Sequence, residues 1–158
     1  MKVLFLDIDG VLNNTQTRKT FEDYIFVSDD KILLLKQIID ATDAKIVLSS
    51  SWRNGWRFKE NNPSCANEDV RIFNALQMKL EEYGIKLMSY TSHLWHRGEE
   101  IDSWLKSWGG EKIDSFVILD DMERGEFEPN SHRLVQTNIS TGLTESDVEA
   151  AIKLLNKK

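Results

Sequence analysis

The sequence predicts one domain over residues 1–158, in which a central parallel β-sheet lies between two layers of helices, a three-layer α/β/α fold. Short apolar runs rich in β-branched residues alternate along the chain with segments whose apolar residues recur at helical spacing. Strands that alternate with helices are joined by right-handed crossovers, which give a parallel sheet with helices on both faces. The 158 residues suffice for one hydrophobic core, and no linker or repeat divides them.

The first three elements predict a βαβ unit. The apolar run at residues 3–6 is typical of a strand buried on both faces. A helix is expected to begin at Ser28, a favourable N-cap residue that two aspartates follow, and to end near Asp40. Its apolar face consists of Ile32, Leu35, Ile38 and Ile39. Residues 45–48 are the second strand.

The middle of the chain predicts a loop, a helix and a third strand. Residues 54–67 are expected to form the loop, because glycine, asparagine and proline are frequent there. Gly84 is expected to end the helix in the left-handed conformation, and residues 85–88 follow as the strand. The apolar face of the helix consists of Val70, Phe73, Leu76, Leu80 and Tyr83.

The last part of the chain predicts two more helices and two more strands. Apolar residues repeat at helical spacing over residues 101–108, before two glycines. Residues 116–119 are the fourth strand and residues 133–136 the fifth. A final helix is expected to begin at Thr144, with Asp147 completing a capping box.

Composition narrows the class of protein. With 41% hydrophobic and 29% charged residues the chain is ordinary for a globular protein. The net charge of -6 argues against a protein that coats nucleic acid through a basic surface. A single cysteine, Cys65, excludes an intrachain disulfide and a cysteine-based zinc site. The first apolar run is too short for a signal peptide or a membrane span, so we expect a cytoplasmic protein without membrane association.

Polar side chains follow three of the predicted strands at their carboxyl ends, where open α/β sheets bind ligands. These side chains are Asp7 and Asp9, then Ser49 to Ser51, then Asp120 and Asp121. Aspartate is also common in turns, so a single pair would carry little weight. If the first strand is central, however, four carboxylates surround one crevice, and their mutual repulsion favours a bound divalent cation. Mg²⁺ together with a substrate phosphate is the simplest interpretation.

The segment Asp7-Ile8-Asp9-Gly10-Val11-Leu12-Asn13 resembles the first motif of the haloacid dehalogenase-like (HAD) superfamily. Ser49-Ser50-Ser51, Arg97 and Asp120-Asp121 follow in the order of the other three motifs. Residues 51–53, 97–105 and 118–121 are also similar to a small branch found as a domain in multidomain RNA repair proteins. The resemblance implies a Rossmann-like fold with a minimal cap.

The resemblance also implies a role for each motif residue. Asp7 would be the nucleophile that forms an aspartyl-phosphate, and Asp9 would protonate the leaving group and then activate water. The backbone after Gly10 would face the phosphate. Ser50, or Ser49 if the register differs by one residue, would donate a hydrogen bond to the phosphoryl group.

The remaining motifs would supply the metal ligands and a cation. Asp7, Asp121 and the backbone carbonyl of Asp9 would hold Mg²⁺, and Asp120 would be a further carboxylate beside it. Arg97 would balance the phosphate charge. The superfamily usually has lysine in this third motif, so the alternatives are that Arg97 takes the role or that Lys86 or Lys106 reaches the site.

Superfamily members tend to carry a cap that restricts access to the site. Here residues 13–27 suffice only for a flap, and residues 52–83 for a small lid. Aromatic and basic residues alternate at residues 52–59 and again at residues 93–97. This alternation suits a nucleotide or the end of a single-stranded nucleic acid; the alternative is that the tryptophans fill the core and the arginines face water.

Together these features predict a Mg²⁺-dependent phosphohydrolase that cleaves a phosphomonoester, on a small molecule or a nucleic acid end. Two other functions fit the same fold. One is a non-catalytic module that binds nucleic acid or protein, against which the self-repelling carboxylates argue. The other is a phosphotransferase that uses the same aspartyl-phosphate but must exclude water, for which the chain has no large cap. The substrate and the oligomeric state stay open.

Overall fold

A computed structural model describes residues 1–157. The strands are β1 (Lys2–Leu6), β2 (Thr20–Phe21), β3 (Tyr24–Ile25), β4 (Lys45–Leu48), β5 (Leu87–Tyr90), β6 (Ser115–Asp120) and β7 (Leu134–Gln136). The helices are α1 (Asp29–Thr42), α2 (Arg53–Asn61), α3 (Glu68–Glu82), α4 (Arg97–Ser107) and α5 (Glu145–Asn156). Two short 3₁₀ turns, Arg124–Phe127 and Ser131–Arg133, lie between β6 and β7.

Five strands form one parallel sheet in the order β5-β4-β1-β6-β7, so β1 is central as expected. Apolar residues of α1, α3 and α5 pack on one face of the sheet, and those of α4 pack on the other. Each face is therefore closed by helices, which confirms the predicted three-layer α/β/α, Rossmann-like architecture. No helix within residues 1–157 is long and apolar enough to cross a membrane.

The loop predicted for residues 54–67 is wrong over its first half, where α2 forms. Gly55, counted as a loop signal, is instead a contact point between helices, because a Cβ there would overlap the carbonyl oxygen of Asp69 and approach the Cβ of Phe73 at 2.5 Å. Trp56 then stacks on the Phe73 ring with centroids 5.3 Å apart. Packing against α3 thus stabilises a helix whose own composition disfavours it.

Other boundaries lie close to the predicted ones. Helix α1 continues to Thr42 and closes with Asp43 in the left-handed conformation, and Gly84 ends α3 with a φ of 74°. Strand β5 begins two residues later than expected, because Ile85 is buried in the core before the strand starts. The Thr144 capping box of α5 is confirmed.

The flap region predicted for residues 13–27 contains the two-stranded hairpin β2–β3. Its residue Tyr24, together with Asp69 and Ile72 of α3, lines a cavity of about 230 Å³, which Asp9 also lines.

Candidate active site

One row of polar residues crosses the carboxyl edge of the sheet. The hydrogen bonds between the strands continue one residue beyond the strand ends. The Ser49 amide donates to the last carbonyl of β1 (2.9 Å), and the Asp7 amide donates to the Leu119 carbonyl of β6 (3.0 Å). Residues level with one another in a parallel sheet point to the same face. The row consists of Thr91, Ser49, Asp7 and Asp120, at most 7% exposed, on the face that α4 covers.

Three carboxylates meet at this edge. Asp7, Asp120 and Asp121 each offer an oxygen within 4.8 Å of the others. Burial, with the nearby charge of Asp120, raises the pKa of Asp7 to about 8, although Arg97 opposes the shift. Burial also raises the pKa of Asp120 to about 6 and the pKa of Asp121. The cluster therefore holds protons that a cation would replace.

The donor set fits a hard divalent cation such as Mg²⁺. All three side chains supply carboxylate oxygens, the ligands that Mg²⁺ prefers. The Oδ2 atom of Asp120 is buried and has no hydrogen-bond partner within residues 1–157, so it keeps a free lone pair. At Gly10, with a φ of 77°, a Cβ would overlap the Asp121 carboxylate, and glycine lets the backbone pass close to it.

Asp9 lies outside this carboxylate cluster and is exposed. Its Oδ1 accepts a hydrogen bond from the Asn13 amide (2.9 Å), and its Oδ2 accepts one from the Trp52 indole (3.0 Å). Asn13 also accepts a hydrogen bond from the Gly10 amide (2.9 Å), which ties the turn after β1 together. Sequence reasoning assigned no role to Asn13, although its place four residues after Asp9 in a tight turn was a signal.

Arg97 is the cation among the carboxylates. Its Nη2 lies 4.0 Å from Asp7 Oδ1 and its Nε lies 3.5 Å from Asp120 Oδ2, with 15% of the side chain exposed. Lys106 instead pairs with Asp102 on the surface of α4, and Lys86 lies at the opposite edge of the sheet, where β5 begins. Of the three cations considered from the sequence, only Arg97 is close to Asp7.

A buried ion pair between Arg53 and Glu100 contacts Arg97. Arg53 and Glu100 are 3% and 4% exposed, and Arg53 Nη2 lies 2.8 Å from Glu100 Oε1. Glu100 Oε2 in turn lies 3.6 Å from Arg97 Nη1. Sequence reasoning missed this pair; the spacing of three residues between Arg97 and Glu100 on one helix was the available signal.

The two candidate serines differ in what their hydroxyls contact. Both are buried. The Ser50 hydroxyl accepts a hydrogen bond from the Trp52 amide (3.2 Å), whereas the Ser49 hydroxyl has no partner within the described residues. Ser49 also belongs to the row that contains Asp7, so its free hydroxyl lies on the face of the sheet where the carboxylates and Arg97 lie.

The alternating aromatic and basic residues divide into two groups. Trp52 stacks on Phe26 with centroids 6.0 Å apart and Trp56 packs on α3, so both tryptophans of the 52–59 segment are structural. Trp95, by contrast, is 95% exposed and lies two residues before Arg97. It is the aromatic side chain of this set that remains open to a ligand.

Comparison with known proteins agrees with this geometry. A family model described as the HAD domain in Swiss Army Knife RNA repair proteins matches residues 3–148, from β1 into α5 and across all four motifs. No curated protein matches the chain at a significant level. The chain therefore belongs to the family of HAD domains found in Swiss Army Knife RNA repair proteins.

Proposed function

We propose that the chain is a Mg²⁺-dependent phosphohydrolase that removes a terminal phosphate from a nucleic acid through an aspartyl-phosphate on Asp7. The observation that carries the proposal is the cluster of the buried Asp7 and Asp120 with the half-buried Asp121, and the Arg97 guanidinium beside it. Such a cluster lowers the stability of the fold, because each carboxylate opposes the ionisation of the next. Perturbed carboxylates of this kind are typical of functional sites.

The first step is the transfer of the phosphoryl group to Asp7. A carboxylate oxygen of Asp7 attacks phosphorus, and the bond from phosphorus to the ester oxygen breaks. Protonated Asp9 gives its proton to that leaving oxygen. The Asn13 and Trp52 hydrogen bonds hold the Asp9 carboxyl group at the mouth of the cavity between the hairpin and α2–α3, which is the side from which the leaving group departs.

The second step is hydrolysis of the aspartyl-phosphate. Asp9, now ionised, takes a proton from a water molecule that attacks phosphorus, and the Asp7 carboxylate leaves with its bonding electrons. Inorganic phosphate is released, and both aspartates return to their starting states. One residue serves first as acid and then as base because the leaving group and the water occupy the same position opposite Asp7.

Charge around the phosphoryl group is balanced by groups already in place. Arg97 pairs with the phosphate oxygens, and the unpartnered Ser49 hydroxyl, with Ser50 as the alternative, donates a hydrogen bond to them. Asp7, Asp121, the Asp9 carbonyl and, beside them, Asp120 would hold Mg²⁺, which would neutralise the negative charge that phosphate and carboxylate share.

Two observations support a nucleic acid end as substrate. The family description links these domains to RNA repair proteins. The exposed Trp95 indole, two residues before Arg97 in the sequence, offers a surface on which a base stacks, an interaction typical of single-strand binding. In this proposal the hairpin and α2–α3, which supply Tyr24, Asp69 and Ile72 to the cavity beside Asp9, act as a flap and a small lid.

Phosphate release tests the proposal. A panel of 3′- and 5′-phosphorylated oligonucleotides, mononucleotides, sugar phosphates and an aryl phosphate is assayed with Mg²⁺ and with chelator. We expect Mg²⁺-dependent release, most efficient with an oligonucleotide end, and a loss of kcat/KM of about 5- to 150-fold for that substrate in Trp95→Ala, the range for one stacked base. Met78→Ala, which truncates an exposed side chain on α3, is the matched control.

Three results would contradict the proposal. Release that persists in chelator removes the metal requirement. Binding of oligonucleotide with no release from any ester indicates a non-catalytic module, and transfer of label to an added alcohol in place of water indicates a phosphotransferase.

A further inference from the structure

A second cavity, of about 270 Å³, opens beside the active site at the carboxyl end of β5. We call it the basic cavity, because Arg53, Arg57 and His93 line it and none of its lining residues is acidic. The cavity next to Asp9 has the opposite charge, because its lining includes Asp9 and Asp69 but no lysine or arginine. The two sides of the site therefore differ in the charge of the ligand that they favour.

Two residues that line the basic cavity each carry a buried donor without an acceptor within the described residues. Arg53 has five N–H groups. Its Nη1 donates to the carbonyls of Ser49 (2.8 Å) and Ser50 (3.2 Å), and its Nη2 donates to Glu100 (2.8 Å) and to His93 Nδ1 (3.0 Å). The remaining Nε–H is buried and has no partner within the described residues.

The second donor without an acceptor is the Thr91 hydroxyl. Thr91 is fully buried, and its Oγ1 has no hydrogen-bond partner within residues 1–157. Buried donors are nearly always satisfied in native proteins, so unpaired ones on residues that line a cavity require an acceptor from outside the chain, supplied by water or by a ligand.

The other lining groups add further donors. Arg57 is exposed and forms no ion pair with any residue within 1–157. Because Arg53 can only donate, His93 Nδ1 must accept, which places the proton of the neutral ring on Nε2. The lining of the cavity therefore includes the Arg57 guanidinium, the remaining Arg53 N–H, the His93 imidazole and the Thr91 hydroxyl, donors that match the acceptor-only oxygens of a phosphate.

The basic cavity lies at a defined distance from the nucleophile. Thr91 and Asp7 belong to the same row and are separated by two strand spacings, roughly 9.5 Å between their backbones. Arg53 is also joined through Glu100 to Arg97. An anion in the basic cavity and a phosphate on Asp7 would therefore lie about two strands apart, a separation that a substrate with two phosphates spans when both reach inward from these backbones.

We propose that the basic cavity binds a second phosphate of the same substrate molecule. The inference rests on the proposed phosphohydrolase function and narrows it. The preferred substrate carries an anionic phosphate one nucleoside away from the phosphomonoester that is cleaved, as in a nucleoside bisphosphate or at the end of a nucleic acid strand. A mononucleotide with a single phosphate leaves the basic cavity unfilled.

Calorimetric binding to the full chain with Asp7→Asn, which cannot form the aspartyl-phosphate, tests the inference without turnover. The ligands are adenosine 3′,5′-bisphosphate, adenosine 3′-monophosphate and adenosine 5′-monophosphate. We expect the bisphosphate to bind about 10- to 100-fold more tightly than either monophosphate, the range for hydrogen bonds between charged groups. Adding Arg57→Gln or Thr91→Val should reduce that preference by about 10-fold, and Lys153→Gln, which removes a charge from α5, should leave it unchanged.

Equal binding of the three ligands, or an equal loss for all three in Arg57→Gln, would overturn the second-phosphate site. The result is separable from the proposed activity. If the wild-type chain releases no phosphate from any ester while Asp7→Asn still prefers the bisphosphate, the phosphatase proposal fails and the binding site stands. If phosphate is released without any preference in binding, the binding site fails alone.

Discussion

Asp7 and Asp9 are two residues apart, yet their surroundings make them chemically different groups. Asp7 is buried among carboxylates, and burial raises its pKa to about 8. Asp9 is exposed, and an amide and an indole N–H hold its two oxygens. In the proposed mechanism, these surroundings suit Asp7 to covalent attack beside a cation and Asp9 to proton exchange with a leaving group and water.

Replacing each aspartate separates these roles. Asp7→Asn removes the attacking carboxylate, so turnover should fall to background. Asp9→Asn leaves attack intact but removes the acid, so we expect a loss of about 10²- to 10⁴-fold for a poor alkoxide leaving group and a smaller loss for an aryl phosphate. Rapid quench with labelled substrate should detect a phosphoenzyme in Asp9→Asn.

Asp40→Asn, which removes an exposed carboxylate on α1, is the control for charge alone and should retain full activity. If the Asp7→Asn protein still acquired the phosphoryl label from the substrate, the nucleophile would be a residue other than Asp7.

At the scale of elements, helix α2 depends on its packing against α3. Helix α2 is short and rich in polar residues, and it carries a glycine in its interior. Isolated helices of this length are unstable in water. Its stability therefore comes from α3, through the Gly55 contact and the stack of Trp56 on Phe73.

Gly55→Ala tests this dependence. Alanine favours the helix by up to about 1 kcal/mol, but its Cβ would overlap the backbone carbonyl of Asp69, which cannot rotate away. The overlap should dominate and lower the free energy of unfolding by about 1–3 kcal/mol, measured by urea denaturation. Gly109→Ala is the matched control, because its Cβ would have open space, and it should change stability by less than about 1 kcal/mol. An equal effect of the two would show that α2 does not depend on the contact.

For the molecule as a whole, the carboxylate cluster couples stability to pH and to metal. The pKa of Asp7 is about 8 in the folded chain, against an ordinary value of 3.8. Between these values the folded state holds a proton that the unfolded state has lost, so the free energy of unfolding falls as pH rises. The contribution of Asp7 is complete below about pH 4 and is lost as the pH passes through about 8.

Thermal melting in chelator between pH 4 and 9 measures this coupling as the difference between the wild type and Asp7→Asn. The wild type should lose stability relative to the variant across the range, and Asp40→Asn should show a flat difference. Added Mg²⁺ should raise the melting temperature more at pH 8 than at pH 5, because its ligands must be deprotonated. A gain from Mg²⁺ that persists in Asp121→Ala would place the ion elsewhere.

The sequence by itself determined the sheet, most of the helices and the acidic ends of the strands. These features depend on neighbouring residues: a buried strand needs only an apolar run, and the α5 capping box is contained between Thr144 and Asp147. The convergence of Asp7 with Asp120 followed from strand order, because a central β1 brings the carboxyl ends of its neighbours together.

Only the tertiary structure decided what each side chain contacts. Helix α2 forms because α3 covers it, Trp52 lies beside Asp9 across 43 residues of sequence, and Arg53 meets Glu100 across 47. No local pattern distinguishes a buried arginine from an exposed one, or the structural Trp52 from the open Trp95. The physical reason is that burial and charge pairing are set by contacts between distant segments, which exist only once the sheet has brought those segments together.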